Sequence, residues 1–185
     1  MTTTAQKSVK SIPEGYTMVT PWIISKNSVR LIEFLTNAFG AEEKPNSRVY
    51  NEDGSIGHVE VQMKDAVVML FDSKEGWPET SGYFRVYVED AKKTFVKAIK
   101  AGASAVTELT PLFWGDIVGR VRDPFGNIWW IQERVQDITD QNEIEKRASD
   151  PQAIYNMKYV EQTLDEELGH SNKRHNVKDP AVNQV

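Results

Sequence analysis

Two residues with acid–base capacity, His58 and Glu60, stand two positions apart in the run Gly57–Met63. On an extended strand that spacing points both side chains the same way. A histidine beside a carboxylate can serve as a general base. The same pair also has a purely structural use, in which Glu60 pairs across a sheet with Arg85 or Arg120 and His58 sits at the wet edge. Arg85 is flanked at two-residue spacing by Tyr83 and Tyr87. Its planar guanidinium suits a carboxylate or phosphate, or else an internal ion pair with Glu60. Trp114 and Trp130 offer flat faces for an aromatic ligand. Trp130 serves equally as core filling, and Trp114 as a lid or a subunit contact. Trp77-Pro78 either covers a cavity or anchors a surface loop.

These residues need strands to aim them, and the pattern of the chain supplies strands. Met18–Ser25 is rich in Val, Ile, Thr and Trp and reads as a strand. Asn27 or Ser28 caps a helix whose apolar positions Val29, Ile32, Phe34, Leu35, Ala38 and Phe39 recur at helical spacing before Gly40. Arg48–Tyr50 is a short strand. The runs 57–63 and 66–72, separated by Lys64-Asp65, predict a hairpin with a two-residue loop. That register sets 62 opposite 67, 60 opposite 69 and 58 opposite 71. One face then carries Val59, Val61, Met63, Ala66, Val68 and Leu70, an apolar set for packing on helices. The other carries His58, Glu60, Gln62, Val67, Met69 and Phe71, a mixture suited to a cavity wall.

A second cycle of the same kind follows the loop 74–81. Tyr83–Val88 is a strand, Asp90 caps a helix ending at Gly102, and 103–109, 116–122 and 128–133 are further strands. The last two flank the turn Asp123-Pro124-Phe125-Gly126-Asn127. Strand, helix and three strands therefore occur twice, as a repeat of pattern rather than of letters. This is an α+β design of two βαβββ modules forming a curved mixed sheet around a cavity, apolar with a few polar groups. Alternation names the wall of that cavity. The first strand contributes Thr20 and Trp22. The hairpin contributes His58, Glu60, Gln62, Met69 and Phe71, and the strand after the loop adds Tyr83, Arg85 and Tyr87. Arg120 and Arg122 share one face opposite Val121, and Trp130 and Gln132 lie opposite Trp129 and Ile131.

After Arg134 the chain turns polar. Asp150-Pro151 starts a helix with an Asp cap and a proline at its first position. Ala153, Met157, Val160, Leu164 and Leu168 then recur at helical spacing up to Gly169. That stripe buries either on its own domain or on another subunit. The expected organisation is a flexible N-terminus (1–11), a first module (12–73), a second module (82–135), a helical extension (136–170) and a disordered tail (171–185).

Composition narrows the function classes. The 185 residues carry a net charge of −5 with no concentrated basic stretch, which argues against nucleic acid. There is no cysteine, which excludes disulfides, thiolate catalysis and Cys-ligated zinc. No apolar run approaches the roughly 18 residues that span a membrane. The N-terminus has no apolar signal core, so the expected location is the cytoplasm.

Several segments resemble the PhnB-like branch of the vicinal-oxygen-chelate (glyoxalase/bleomycin resistance/dioxygenase) superfamily over roughly residues 12–135. They are Ile12-Pro13-Glu14-Gly15-Tyr16 leading to Val19-Thr20-Pro21-Trp22, Ile32-Glu33-Phe34-Leu35 with Ala38-Phe39-Gly40-Ala41, Gly57-His58-Val59-Glu60-Val61, and Val68-Met69-Leu70. The most specific is Phe113-Trp114-Gly115-Asp116 followed by Gly119-Arg120-Val121-Arg122-Asp123-Pro124-Phe125-Gly126-Asn127. The resemblance implies a homodimer and, in its metal-using members, four strand positions bearing His, Gln or Glu. Here those positions align with Thr20, Met69, Tyr83 and Trp130. Met and Trp do not hold a hard divalent cation, so neither metal nor other cofactor is expected. Three functions stay open: a metal-free cavity binding a small, partly aromatic or anionic molecule; an enzyme using His58 and Glu60, with Arg85 orienting an anion; and a metal lyase or dioxygenase with atypical ligands.

Overall fold

The computed structural model describes residues 9–78 and 80–176, with the side chains beyond 169 left aside. It divides into two compact units, Met1–Thr80 and Ser81–Val185. Among the described residues no helix is long and apolar enough to cross a membrane.

In the first unit the strands are β1 (Trp22–Ser25), β2 (Glu42–Glu43), β3 (Val49–Tyr50), β4 (Ile56–Met63) and β5 (Ala66–Asp72). Their order is β1-β5-β4-β2, with β3 also on β4. β1 runs parallel to β5, and the other pairs are antiparallel. The helix α1 (Ser28–Phe39) is capped by the Asn27 side chain, which accepts from the Arg30 N–H. It stops at Gly40, whose φ of 72° favours a residue without Cβ. Leu31, Phe34, Leu35 and Ala38 of α1 are buried, as are Ile23, Val59, Val61, Val68 and Leu70 of the sheet. Those sheet positions share one face by strand parity. The hairpin has the expected register, with Gln62 opposite Val67 and Glu60 opposite Met69. Lys64 takes the positive φ, 51°, that the tight turn demands.

The first strand is shorter than expected. It begins at Trp22, not Met18, and Met18 and Val19 are exposed. Pro21 has no N–H to extend the ladder, although its carbonyl accepts from the Met69 N–H. Thr20 therefore precedes the strand. The two-residue strand β2 had no pattern to announce it.

The second unit repeats the plan. Its strands are β6 (Tyr83–Tyr87), β7 (Ser104–Pro111), β8 (Asp116–Arg122) and β9 (Ile128–Arg134), in the order β6-β9-β8-β7, with β6 parallel to β9. The helix α2 (Ala91–Lys100), capped by Asp90, buries Ala91, Phe95 and Ala98. It crosses β8 at Gly119, where a Cβ would stand 2.9 Å from Leu109 and 3.2 Å from Phe95. Trp129 is buried and stacks on Phe84 at 4.6 Å between ring centres. Both units fasten helix to sheet in the same way. Asp72, ending β5, accepts from the Ser28 N–H at the start of α1 (2.7 Å), and Glu133 of β9 accepts from the Ala91 N–H at the start of α2 (2.7 Å). A carboxylate is favoured there by the free amides and the positive end of the helix dipole.

Two helices complete the chain: α3 (Gln141–Ala148), with no buried residue, and α4 (Pro151–Asn176). The expected helix end at Gly169 is passed, since α4 continues to Asn176 through residues expected to be tail. The remaining expected tail, and residues 1–8 of the expected flexible N-terminus, lie outside the described residues.

The turn between β8 and β9 hangs on Asp123, which is 3% exposed. Its carboxylate accepts from the Phe125 and Asn127 N–H groups, the Asn127 amide and the Trp129 indole, all at 2.8–2.9 Å. Truncation strands four donors, two of them on buried side chains. Asp123→Ala is therefore expected to lower unfolding free energy by about 3 kcal/mol. Urea unfolding with an unchanged slope is the check, and a loss within experimental error would contradict this role.

Candidate functional site

The residues expected to line a cavity fall into two groups, one in each unit. In the first unit, register sets Trp22 beside Met69 and Met69 beside Glu60. The rings of Trp22 and Phe71 lie 5.4 Å apart, and those of His58 and Phe71 5.5 Å. Ile24 also pairs with Phe71 on this face. The structure thus brings together Trp22, His58, Glu60, Met69 and Phe71. Val67, read as part of the same mixed face, is buried at 1% exposure. Gln62 turns its amide to the Lys64 and Ala66 carbonyls at the hairpin end.

Glu60 finds partners within its own unit. The backbone N–H of Lys44 donates to the Glu60 carbonyl, which brings the Lys44 ammonium within 3.1 Å of the carboxylate. The Tyr16 hydroxyl donates to the same carboxylate oxygen, and Lys44 Nζ lies 4.0 Å over the Tyr16 ring. His58 Nε2 is 3.4 Å from the other oxygen. Burial pushes the Glu60 carboxyl up, but the hydrogen bonds from Tyr16 and Lys44, the Lys44 charge and His58 outweigh it and hold the pKa below the usual range. A carboxylate with that many donors is a stable anion and a poor proton acceptor. The involvement of Tyr16 and Lys44 was missed, because neither stands on a regular element whose spacing would announce it.

In the second unit the expected wall is a ladder across three strands. Arg85 pairs with Trp130, and Trp130 with Arg120. Both guanidiniums sit against the Trp130 ring, Arg85 at 4.5 Å and Arg120 at 4.0 Å from its centre. The face that sequence periodicity presented as open wall carries α4 instead. Val160 forms a cluster with Leu112 and Val118, flanked by Trp114, Trp130, Met157 and Tyr159. The helical stripe thus docks on its own unit. Polar contacts set its register: Arg120 to the Val160 carbonyl (2.7 Å), Asn156 to the Pro111 carbonyl (2.8 Å), Thr107 with Thr163 (2.8 Å), and Arg122 with Glu167. Trp114 is held by Asp116 at 3.0 Å, and Gln132 donates to the same carboxylate. Arg122, Trp114 and Gln132 are therefore engaged in structure. Tyr83, Arg85 and Tyr87 remain on the exposed side of β6.

Between β6, β9 and α4 lies a pocket of about 220 Å³ lined by Tyr83, Phe84, Arg85, Arg120, Ile128, Trp130 and Leu164. Arg120 is 3% exposed, yet its only hydrogen-bond partners among the described residues are neutral, Val160 and Thr107 (3.1 Å). Its Nε, like the Trp130 Nε1, is buried without a partner among the described residues. Burial first, then the positive charge of Arg85, push the Arg120 pKa down to about 10, so it remains a cation at neutral pH.

A model of the Glyoxalase/Bleomycin resistance protein/Dioxygenase superfamily matches residues 18–131. An uncharacterized protein of Mycobacterium bovis is 30% identical over 131 residues, covering 65% of this chain and 85% of its own length. An uncharacterized protein of Mycobacterium tuberculosis is 30% identical over the same length, covering 65% and 76%. Among solved structures, TioX from Micromonospora sp. ML1 superposes with a TM-score of 0.52 at 22% identity, over 63% of this chain and 98% of that one. The PA1353 protein from Pseudomonas aeruginosa gives 0.52 at 18% identity, over 64% and 98%. These structural likenesses concern the fold alone.

The four positions aligned with metal ligands do not fit a divalent ion. Thr20 precedes β1, Met69 offers a thioether, Tyr83 is 63% exposed, and the Trp130 indole nitrogen is a donor. Among the described residues no group of three or more His, Asp or Glu side chains is placed to hold a metal.

The Glu60 cluster predicts a pH signature. The folded carboxyl titrates below its unfolded value of about 4.3, so its stabilisation is complete above that pH and is lost as pH falls through the folded value. Glu60→Gln is expected to be less stable than the parent at pH 7, with the gap closing below about pH 4. Urea unfolding across pH measures this, and a gap independent of pH would count against it.

Proposed function

This chain belongs to the glyoxalase/bleomycin resistance protein/dioxygenase superfamily, and from that premise we propose that it is a metal-independent binding protein for a small organic molecule. What carries this is the alignment, by family resemblance, of the ligand positions with Thr20, Met69, Tyr83 and Trp130, of which Met69 and Trp130 cannot hold a hard divalent cation and offer apolar or aromatic contact. Two surfaces support it. In the first unit Trp22, Met69 and Phe71 offer apolar area beside His58. In the second, the pocket at Trp130 pairs apolar walls with cationic groups. The motif Phe113-Trp114-Gly115-Asp116 is the basis for assigning the PhnB-like branch, and that resemblance also underlies assembly as a homodimer. Acid–base catalysis by His58 and Glu60 is less well supported, because the Glu60 carboxylate is already occupied by Tyr16 and Lys44.

Elemental analysis of protein purified without chelator, combined with thermal-shift screening against neutral and anionic organic molecules, tests this. The expected result is substoichiometric metal and a midpoint rise of several degrees, about 4–8 °C per kcal/mol in a small domain, with one chemical class. A stoichiometric divalent ion that is required for binding, or no response to any class, would overturn it.

A further inference from the structure

The pocket between β6, β9 and α4 has a charge imbalance that its own residues do not resolve. Arg120 is withdrawn from water with two neutral acceptors and no carboxylate among the described residues. Arg85 supplies a second cation on the same tryptophan ring, and no described side chain forms an ion pair with either. Two buried donors, Arg120 Nε and Trp130 Nε1, belong to residues lining this one pocket and lack acceptors among the described residues. Leaving a buried donor unmet is costly, and more so when it is charged, so the imbalance has to be offset by something. The nearby carboxylate Glu167 is engaged with Arg122, the next outward-facing residue on β8.

We propose that this pocket binds a small organic carboxylate, and that this is the ligand class of the binding function described above, on which the assignment rests. The carboxylate oxygens accept from Arg85, Arg120 and the Trp130 indole. The body of the ligand lies on Tyr83, Ile128 and Leu164. A planar acceptor with two oxygens suits guanidinium donors best. The volume, about 220 Å³, admits one ring or a short branched chain and lies below the usual range for larger ligands. Leu164 comes from α4, and Val160 of the same helix accepts from Arg120. The C-terminal helix is therefore one wall of the site.

Calorimetric titration of the full chain with benzoate, benzamide and inorganic phosphate tests the assignment. Benzoate is expected to bind one per chain, with benzamide and phosphate each about tenfold weaker or more. Arg85→Gln, at an exposed position that leaves folding intact, is expected to weaken benzoate about tenfold with little change in thermal midpoint. Benzamide binding as well as benzoate, phosphate binding as well as benzoate, or unchanged affinity in Arg85→Gln would each overturn the carboxylate assignment. If neutral compounds bind and benzoate does not, this inference alone fails. If no organic compound binds, the wider binding function fails with it.

Discussion

A single kind of contact holds each unit's helix to its sheet: a carboxylate near the end of the last strand accepts the first backbone N–H of the helix. Asp72 does this for α1 and Glu133 for α2. In both cases the strand that carries the carboxylate lies parallel to the strand that leads into the helix. A parallel neighbour must be reached through a crossover, and the crossover places the helix N-terminus next to the end of the returning strand. The amide dipoles there need an anion and the strand end delivers one. Once that point is pinned, the buried faces of α1 and α2 fall on the apolar sides of their sheets, and the polar sides face away from them.

What happens on the polar sides differs between the units. In the first, Glu60 gathers Tyr16, Lys44 and His58 around itself, so the negative charge is neutralised locally and the aromatic side chains Trp22 and Phe71 stay partly accessible. In the second, a 26-residue helix crosses the sheet and buries the guanidinium of Arg120. The apolar cluster of Val160, Leu112 and Val118 provides the driving force, since each fully buried side chain of this size contributes about 1.5–3 kcal/mol. Arg122 is compensated by Glu167. Among the described residues of its unit, Arg120 meets only the neutral acceptors Val160 and Thr107. A strongly perturbed group lining a pocket is a candidate for a functional role.

Family membership and site chemistry point in different directions for a physical reason. The βαβββ scaffold is set by backbone pairing and by the apolar faces, and neither depends on what the outward-facing residues are. Met69 and Trp130 stand in regular register, β5 with β1 and β9 with β6, whatever their side chains can or cannot chelate. Neither a thioether nor an indole is a ligand for a hard divalent cation, and the Trp130 ring instead lies against the guanidiniums of Arg85 and Arg120.

Much of the fold was legible in local pattern. The Asn27 and Asp90 caps, the Gly40 stop, the hairpin register at Lys64-Asp65, the face opposite Trp129 and the stripe from Ala153 to Leu168 all follow from periodicities of two and 3.6 and from the few residues that terminate them. These are properties of short stretches, in which each residue's neighbours are known from the order of the chain. The partners of Glu60, the placement of α4 over Arg120 and the start of β1 at Trp22 are not. Lys44 reaches Glu60 from 16 positions away and Val160 reaches Arg120 from 40. A charge has no periodicity to show which distant group will answer it. The residue types therefore specified which side chains had to be paired or hidden. Only the folded chain decided that Glu60 would find its cation nearby and that Arg120 would be buried against neutral acceptors.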